Sequence, residues 1–471
     1  MIPDFEPLFR EAQAFLARPG ARVHLMGIGG VGMGGLAILL QEAGFQVGGC
    51  DQSANRMTRR LMDRGIGVQL GHDPSHLDPG VECLIRSPAV PADHPETLRA
   101  VSLGLPVIPR GVALAALSRK TSCLAIAGTH GKTTTSAMLT HLLEKTGRQP
   151  GYCVGGESPA LSAPARSAVP GGDLVLEADE SDGTLRLYAP RVAVVNNVDF
   201  DHMEHFQDEA EFRDVFEQFV RQAGNVILGI DNPGAARLLA VRPDAATFGF
   251  PDRADVRATG IRLDDETSEF DLEIEGISRG PVRLDVSGRF NILNALAASA
   301  AAWRAGASAE ILPEAWAGFR PVLRRQQRLP AGRDVQVLSD YAHHPAEILA
   351  LMEALRPRAR RRLIAVFQPH RYTRTRSLGA QFPAAFSGAD EVLLLPVYAA
   401  SEPPVPGGML EDLLGHFRVS GLRGVKAMES FDAVENDLLK RLEPGDLLAM
   451  IGAGDVEELG RRIAARLAVE E

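Results

Sequence analysis

The stretch CLAIAGTHGKTTTSAMLTHLLEK, residues 123–145, decides the fold of this chain. Its apolar start, residues 123–127, predicts a buried strand, and residues 136–145 predict a helix. The loop between them is tighter than the common form G-x-x-x-x-G-K-[ST], since Ile126 stands where that form needs glycine. Such loops wrap phosphates in backbone N–H groups and add a lysine for phosphate oxygens and a hydroxyl for Mg²⁺. We therefore predict a phosphate-binding loop made of Gly128, Thr129, His130, Gly131, Lys132, Thr133 and Thr134.

Similar short apolar runs recur along the chain and alternate with helical patterns. They cover residues 23–26, 173–176, 192–195, 363–367, 391–395 and 446–451. Strands that alternate with helices predict βαβ units and parallel sheets, which places the chain in the α/β class. Its 471 residues suggest about three domains, for which we predict the ranges 1–120, 121–320 and 321–471. Alternating apolar and polar residues over 254–286 predict an antiparallel hairpin in the second domain.

A second glycine-rich turn lies near the N-terminus, where a predicted strand runs into GIGGVG. Gly27, Gly29 and Gly32 form the pattern G-x-G-x-x-G, and Gly30 lies within it. Asp51 follows nineteen residues after Gly32, which is typical of an acidic residue that binds a ribose in a Rossmann-like unit. The pattern does not choose the ligand, because NAD, FAD and a UDP-sugar satisfy the same geometry.

Acidic residues follow two further predicted strands. The carboxyl ends of parallel strands form the ligand-binding edge of a sheet, and Mg²⁺ prefers oxygen ligands. These residues are therefore candidates for holding or surrounding a nucleotide-bound metal, although a histidine ligand is unusual for Mg²⁺. The candidates are Glu177, Asp179, Glu180, Asp199, Asp201 and His202.

Histidines and arginines collect after strands in the last third of the chain. Cationic and imidazole groups at such positions suit an anionic substrate or developing phosphoryl charge. Zinc is not indicated at His343 and His344, because adjacent side chains of an extended chain point to opposite sides. The candidates are Arg324, Arg325, Asp340, Tyr341, His343, His370, Arg371 and Arg374.

Composition excludes several classes of protein. Lysine and arginine number 50 and aspartate and glutamate 60, so the formal net charge of −10 argues against nucleic-acid binding as the main function. We see no secretion signal and no apolar run of the ~18 residues that span a bilayer, and we expect a soluble cytoplasmic protein without a membrane partner. The cysteines, which we expect to be reduced thiols, show neither zinc-site nor disulfide spacing: Cys50, Cys83, Cys123 and Cys153.

Taken together, these motifs resemble one family, the Mur ligases of bacterial cell-wall synthesis. The resemblance rests on GIGGVGM (27–33), GTHGKTTT (128–135), EADESD (177–182), DHM (201–203) and GRFNILNALAA (288–298), in this order along nearly the whole chain. It implies a three-domain α/β architecture: a Rossmann-like N-terminal domain for a UDP-sugar, a central P-loop ATPase domain, and a Rossmann-like C-terminal domain for an amino acid.

The resemblance also implies roles for individual residues. Lys132 and Thr133 would serve ATP and Mg²⁺, and Glu177 and His202 would be metal ligands. Asn291 and Asn294 would lie near adenine, Asp340 would reach the ribose, and Arg324 or Arg325 would approach the γ-phosphate. The implied catalytic residues are Lys132, Glu177, His202, Arg324, Arg325 and His343. The incoming amino acid would be surrounded by Tyr341, His343, His370, Arg371 and Arg374, and the UDP-sugar would be bound by Gly27, Gly29, Gly30, Gly32 and Asp51.

Four positions depart from the family pattern. Ser339 and Ala342 replace an aspartate and a glycine, Phe290 replaces a histidine, and Asn197 replaces a threonine. These changes concern adenine contact and the amino-acid pocket, not the reaction class.

The implied reaction is ATP-dependent amide formation through an acyl phosphate. The run FQPHRYTRT (367–375) is similar to members that join L-alanine to UDP-N-acetylmuramate. The alternative within the family is a ligase of cell-wall recycling that joins the tripeptide L-Ala-γ-D-Glu-diaminopimelate instead. Outside it, a dehydrogenase would leave Lys132 and Glu177 without a role, and a non-catalytic UDP-sugar-binding protein would not need Lys132. We expect a monomer or a homodimer.

Overall fold

The computed structural model describes residues 3–201, 205–400 and 402–469. The chain forms two compact units. The first comprises Met1–Ile261, Phe270–Val282 and Leu293–Arg320, and the second comprises Arg262–Glu269, Arg283–Ile292 and Pro321–Glu471. The first unit contains both the glycine turn and the phosphate-binding loop.

The first sheet has five parallel strands in the order β3-β2-β1-β4-β5. The strands are β1 (Arg22–Met26), β2 (Gln46–Asp51), β3 (Gly67–Leu70), β4 (Cys83–Arg86) and β5 (Val107–Pro109). The helices are α1 (Glu6–Leu16), α2 (Val31–Glu42), α3 (Arg56–Asp63), α4 (Pro95–Ser102) and α5 (Arg110–Ser118). This is the Rossmann-like arrangement that the G-x-G-x-x-G pattern predicts, with the glycine turn between β1 and α2.

The second sheet has ten strands in the order β15-β14-β13-β12-β11-β10-β6-β9-β7-β8. Its first strands are β6 (Ser122–Ala127), β7 (Gly151–Cys153), β8 (Ala165–Arg166), β9 (Asp173–Glu177) and β10 (Val192–Val195). They continue with β11 (Asn225–Gly229), β12 (Ala246–Gly249), β13 (Val256–Leu263), β14 (Ser268–Ile274) and β15 (Ile277–Leu284). The helices are α6 (Lys132–Lys145), α7 (Glu209–Gln222), α8 (Pro233–Ala236), α9 (Arg289–Arg304) and α10 (Leu312–Ala315).

Strand β6, which leads into the phosphate-binding loop, lies inside this sheet between β10 and β9 and is parallel to both. All its residues beyond Ser122 are buried, as the apolar run predicts. The region 254–286 forms β13, β14 and β15. The connection from β14 to β15 is only Glu275–Gly276, and a connection this short joins antiparallel strands, as predicted.

The third sheet has six strands in the order β16-β17-β21-β18-β19-β20. They are β16 (Gln327–Leu329), β17 (Gln336–Asp340), β18 (Leu363–Phe367), β19 (Glu391–Leu394), β20 (Val425–Ala427) and β21 (Leu447–Ile451). The helices are α11 (Pro345–Leu355), α12 (Tyr372–Leu378), α13 (Phe382–Ala385), α14 (Leu410–Ser420), α15 (Phe431–Arg441) and α16 (Val456–Val469). Strand β16 pairs antiparallel with β17, and the other strand pairs are parallel.

The α/β class with parallel sheets is therefore confirmed. Helix α6 begins at Lys132, four residues before the predicted start, because Gly131 adopts the left-handed conformation that ends the loop. Both Lys132 and Thr133 consequently lie on the first helical turn, where free N–H groups favour anions. In the described part of the chain, no helix has the length and apolarity that crossing a bilayer requires. All four cysteines are buried and free of disulfide bonds.

Candidate active site

The conformation of the phosphate-binding loop depends on two glycines. Gly131 has φ +81°, and a Cβ atom there would lie 2.4 Å from Oδ1 of Asn294. Gly128 has φ +131°, and its Cβ would lie 3.0 Å from the backbone N of Asn197. Both positions require glycine on backbone and steric grounds. The loop is therefore a specific structure and not a generic turn.

Lys132 reaches back across this loop from the first turn of α6. Its Nζ donates hydrogen bonds to the carbonyl oxygen of Gly128 at 2.6 Å and to Oε1 and Oε2 of Glu180 at 2.9 and 2.8 Å. Burial would lower the pKa of Lys132, but the carboxylates of Glu180 and Asp179 raise it above its ordinary value. The ammonium group is therefore charged and faces the loop.

Thr133 and Glu177 bring two oxygen donors together beside Lys132. Oγ1 of Thr133 donates to Oε1 of Glu177 at 2.5 Å, and the backbone N–H of Gly155 donates to Oε2 of Glu177. Glu177 is the last residue of β9, so its carboxylate lies at the carboxyl edge of the sheet. A hydroxyl and a carboxylate in contact form an oxygen donor set suited to Mg²⁺, and the residues fit the metal that was predicted here. His202 lies outside the described residues.

Two asparagines after β10 support the loop, and the sequence did not single out either as a site residue. Asn197 accepts from the backbone N–H of His130 at 2.7 Å and donates to the carbonyl oxygen of His130 at 3.2 Å. Asn196 donates to Oγ1 of Thr135 at 3.0 Å. The side-chain amide of Asn197 therefore binds both backbone groups of His130.

The other loop residues meet the carboxyl end of β10. Oγ1 of Thr129 donates to the carbonyl oxygen of Asp199 at 2.8 Å and accepts from its N–H at 2.9 Å. Nε2 of His130 lies 3.7 Å from Oδ2 of Asp199. Thr134 is buried inside α6. Asp199 and Asp179 therefore surround the loop, as the strand-end positions predict.

The N-terminal glycine turn has a similar structure at the carboxyl end of β1. Oδ2 of Asp51 accepts the backbone N–H of Gly29 at 2.8 Å. A Cβ on Gly29 would lie 2.6 Å from Nδ2 of Asn55 and 2.9 Å from Oδ2 of Asp51, so a larger residue would displace these side chains. Gly30 is the residue before α2 and leaves the N–H groups of the first helical turn available for an anion. Asp51 thus lies against the turn, in the place that the spacing predicts.

Arg110 connects the glycine turn with the second sheet, and no sequence motif pointed to it. Its Nη1 would lie 3.0 Å from a Cβ on Gly32, and its Nη2 donates to Oδ2 of Asp179 at 2.8 Å. Burial lowers the pKa of Arg110, but Asp179 and Asp182 outweigh this and raise it. A half-buried guanidinium therefore lies beside the first turn of α2. The signal that could have found it is its position at the end of a parallel strand, directly after β5.

The second unit has its own polar cluster at the carboxyl edge of the third sheet. Asp340, the last residue of β17, accepts the N–H groups of Gln326 and Ala342, both at 2.8 Å. Burial raises the pKa of Asp340. Nη2 of Arg324 donates to the carbonyl oxygens of Gly452 and Gly454 at 2.8 and 2.7 Å, just after β21.

Residues predicted to surround the amino-acid substrate form a connected group of aromatic and cationic side chains within this unit, together with Arg324 and Arg325. The guanidinium carbons of Arg324 and Arg325 lie 4.8 and 5.4 Å from the ring centre of Tyr341. The ring of His343 lies 5.6 Å from that of Tyr341 and 6.1 Å from that of His370. Nη1 of Arg374 lies 3.5 Å from Nδ1 and from the carbonyl oxygen of His370. The structure thus brings together residues that are up to fifty positions apart in the sequence.

Charge and backbone strain both concentrate here. Burial, His343 and the neighbouring arginines lower the pKa of His370 to about 3, so its imidazole is neutral at physiological pH. Arg324 and Arg371 adopt positive φ values of +59° and +70°. Non-glycine residues in that region of backbone space persist only where the surroundings enforce them, which is typical of ligand sites. Arg371 also lies 3.9 Å from Oε1 of Glu402.

The two asparagines expected near adenine have different surroundings. Asn294 lies against the phosphate-binding loop, where its Oδ1 accepts from Oγ1 of Thr135 at 3.3 Å. In the second unit, Nδ2 of Asn291 donates to the carbonyl oxygen of Ser287 at 2.9 Å. Ser287 also lines a cavity of about 350 Å³, together with Arg325, Gln326 and Arg358.

Comparison with known proteins agrees with this fold. The family description "Mur ligase family, catalytic domain" matches residues 22–121, "Mur ligase middle domain" matches residues 126–302, and "Mur ligase, glutamate ligase domain" matches residues 324–454. The chain belongs to the Mur ligase family, whose members are ATP-dependent ligases that form amide bonds.

Individual relatives extend over nearly the whole chain. The UDP-N-acetylmuramate–L-alanine ligase of Anaeromyxobacter sp. is 39% identical over 96% of this chain and 99% of its own length. That of Nitratidesulfovibrio vulgaris is 40% identical over 94% and 98%. The crystal structure of the UDP-N-acetylmuramate–alanine ligase from Thermotoga maritima matches with a TM-score of 0.80 at 26% identity, over 96% of this chain and 100% of that one. A murein peptide ligase from Psychrobacter arcticus shares the fold, with a TM-score of 0.70 at 24% identity, over 95% and 99%.

Proposed function

We propose that this chain joins L-alanine to UDP-N-acetylmuramate at the expense of ATP, in peptidoglycan synthesis. The observation that carries the proposal is the similarity to relatives of that activity, at 38–40% identity over 93–98% of the chain. The described geometry supports it, because phosphate-binding and amino-acid-binding arrangements are both present in the chain. Family membership favours a ligase over a dehydrogenase or a non-catalytic binding protein.

The chemistry requires an activated carboxylate, because oxide is a poor leaving group. Transfer of the γ-phosphoryl group of ATP to the carboxylate of UDP-N-acetylmuramate gives an acyl phosphate and ADP. The amine of L-alanine then attacks the acyl carbon, and phosphate leaves as the amide forms. The attacking nitrogen loses one proton, which balances the released phosphate as hydrogen phosphate, and keeps one hydrogen as the amide N–H. A protein contributes to such a transfer mainly by positioning and by electrostatic stabilisation of the phosphoryl oxygens.

The first unit supplies the residues that we assign to ATP and its metal. The N–H groups of Gly131 and the first turn of α6 would bind phosphate oxygens, and Lys132 would exchange its contacts with Glu180 and Gly128 for those oxygens. Thr133 and Glu177 would hold Mg²⁺ through the oxygens that are 2.5 Å apart. Mg²⁺ bound there would offset negative charge on the phosphates. We assign His202 to the same metal from the family resemblance.

The glycine turn of the first sheet is our candidate for the UDP-sugar. Gly27, Gly29, Gly30 and Gly32 give a pyrophosphate close access to the backbone at the N-terminus of α2. The guanidinium of Arg110 adds a half-buried positive charge beside Gly32. Asp51 would accept a ribose hydroxyl through its Oδ1. Among the described residues, the one hydrogen bond found for this atom comes from the N–H of Ser53, at 3.3 Å.

The second unit supplies our candidates for the amino acid and for part of the nucleotide. Arg371 and Arg374 would bind the alanine carboxylate, with neutral His370 as a hydrogen-bonding neighbour. Tyr341 and His343 would border the same pocket. Asp340 would reach the nucleotide ribose, and Arg324 or Arg325 would contact the γ-phosphate. Asn291 and Asn294 remain our candidates for the adenine region.

The second candidate function is the joining of the tripeptide of cell-wall recycling. The specific observation in its favour is a structure of such a ligase from Neisseria meningitidis. It covers 65% of this chain at 31% identity, with a TM-score of 0.59. The relatives that carry the alanine-ligase name cover more of the chain at higher identity, so we place the tripeptide ligase second.

The nucleotide substrates favour a cytoplasmic location.

The experiment that tests the proposal measures phosphate release from ATP with UDP-N-acetylmuramate, Mg²⁺ and each amino acid in turn. We expect release that requires every component and is fastest with L-alanine. Omission of UDP-N-acetylmuramate is the control, because release must stop without the carboxylate acceptor. Release that is independent of any amino acid would contradict the proposal.

A further inference from the structure

Four side chains that could bind a metal meet inside the first sheet, away from the phosphate-binding loop. They are His24 of β1, Cys50 of β2, Glu96 of the first turn of α4, and His76 at the end of the short 3-10 turn Pro74–His76. We refer to them as the histidine–cysteine cluster. One ligand atom from each lies within 4.8 Å of every other. None of the four has a role in the proposed ligase reaction.

The distances inside the histidine–cysteine cluster match the edges of a coordination polyhedron. Nε2 of His24 lies 2.9 Å from Oε1 of Glu96 and 3.3 Å from Sγ of Cys50. Sγ of Cys50 lies 3.4 Å from Oε2 of Glu96, and Nδ1 of His76 lies 3.6 Å from Oε1 of Glu96. Ligand atoms at ~2.0–2.3 Å from a tetrahedral zinc ion lie about 3.3–3.7 Å from one another. The four atoms would therefore need to move little to bind one ion.

The histidine–cysteine cluster is largely shielded from water. His24 is 3% exposed, Cys50 and Glu96 are fully buried, and the side chain of His76 is 11% exposed. The apolar side chains packed on this face of the sheet are Met26, Leu77, Val81, Leu84, Val90 and Ala100. Burial of several polar groups in an apolar shell is costly unless every group has a partner. Hydrogen bonds alone do not achieve this here, because the buried Nδ1 of His76 has no hydrogen-bond partner among the residues that the structure describes.

We propose that the histidine–cysteine cluster is a structural zinc site. Thiolate, imidazole and carboxylate are the ligands that Zn²⁺ takes in proteins, and four protein ligands form a closed, non-catalytic site. Bound zinc deprotonates a coordinating thiol. The thiolate of Cys50 and the carboxylate of Glu96 then balance the two positive charges of the ion, so the buried cluster is neutral overall. Nδ1 of His76 gains a partner in the same step.

Neighbouring groups provide the outer contacts that such a site needs. Nδ1 of His94 accepts the backbone N–H of Glu96 at 3.2 Å and fixes the first turn of α4. The carbonyl oxygen of Cys50 accepts the N–H groups of Gly27 and Ile28 at 2.8 and 3.1 Å. Contacts of this kind orient the ligands of a metal. Through Cys50, the proposed zinc site is linked directly to the glycine turn.

The first test measures zinc per chain by mass spectrometry after purification without chelators. We expect about one zinc ion per chain, lost in Cys50→Ser and in His76→Ala. Cys83→Ser is the matched control, because Cys83 is equally buried in β4 of the same sheet but lies outside the cluster, and it should keep the ion. Glu177→Gln should also keep it. The proposal would be overturned if the unaltered chain contained no zinc. It would also be overturned if Glu177→Gln lost the ion while Cys50→Ser kept it.

The second test does not depend on whether a variant folds. The unaltered chain is stripped of metal and titrated with Co²⁺, which replaces zinc and absorbs visibly. We expect thiolate-to-cobalt charge transfer and the strong visible bands of tetrahedral Co²⁺, reversed by added Zn²⁺. Cobalt at the site that we assign to Thr133, Glu177 and His202 has no thiolate ligand and cannot give the thiolate band. Absence of that band would overturn the proposal.

Discussion

Nζ of Lys132 lies 2.8 Å from Oε2 of Glu180, and the side chain of Glu180 is only 1% exposed. The two residues form a buried ion pair directly under the phosphate-binding loop. In a ligase, this pair would keep the lysine extended and charged until phosphate oxygens replace the carboxylate. This ion pair explains why Glu180 is buried, although the sequence identifies it only as one of several carboxylates after β9.

Lys132→Ala should reduce phosphate release by on the order of 10²–10³-fold, because it removes a charge aimed at the transferring group. It should also destabilise the protein, since Glu180 is left buried without a partner. The double variant Lys132→Ala with Glu180→Gln should regain stability without regaining activity. Lys145→Ala, at the exposed end of the same helix, is the control and should leave both properties unchanged. Phosphate release near the unaltered rate in Lys132→Ala would contradict the assignment of the loop.

Gly131→Ala tests whether the loop needs glycine for its backbone or for space. Gly131 and Gly147 have the same φ of +81°, but only Gly131 has a neighbour within 4 Å of the added Cβ. Gly147→Ala should cost about 1 kcal/mol from backbone strain alone. Gly131→Ala should cost more and should also weaken the use of ATP, as judged by urea unfolding and the KM for ATP. Equal costs and an unchanged KM would mean that the contact with Asn294 has no effect.

His370 should make the stability of the protein depend on pH. Its folded pKa of about 3 lies below the ordinary 6.5, so the unfolded chain binds the additional proton between these values. The free energy of unfolding should therefore fall as the pH is lowered through this window and be fully retained above pH 6.5. His370→Gln removes the group and should reduce the loss in urea midpoint between about pH 7.5 and about pH 5. The same loss in both proteins would contradict a neutral buried imidazole.

Arg374→Ala should raise the KM for L-alanine by about 10–100-fold, which corresponds to one charge-assisted hydrogen bond to the carboxylate. The KM for UDP-N-acetylmuramate should change little. Arg376→Ala on the same helix is the control, because this arginine is exposed, whereas Arg374 is buried. An equal rise in both KM values would indicate general disruption of the unit and not a binding role.

Strands and loops were the part of the fold that local sequence predicted well. Residues 363–367 and 192–195 coincide with β18 and β10, because buried parallel strands are continuous apolar runs. The glycine turns were also predictable from local sequence, but for a different reason. A positive φ or a close neighbour at the Cβ position favours glycine over other residues. The start of α6 was misplaced, because a helix beginning at Lys132 depends on the conformation of Gly131 and not on helix propensity.

Contacts between distant elements could not be predicted in this way. Arg110 follows a strand of only three residues, and its partner Asp179 comes from another sheet. The histidine–cysteine cluster combines four elements whose spacing fits no zinc motif, so the cysteine pattern indicated no metal. The predicted boundaries near residues 120 and 320 remain a prediction.

The most direct test of the account offers the chain L-alanine and the tripeptide L-Ala-γ-D-Glu-diaminopimelate together, with ATP, Mg²⁺ and UDP-N-acetylmuramate. Mass spectrometry of the UDP-linked product then identifies which amine was joined. We predict a product heavier than UDP-N-acetylmuramate by one alanine residue, formed with one phosphate released per amide bond. A product that carries only the tripeptide would contradict the proposed function and assign the chain to cell-wall recycling.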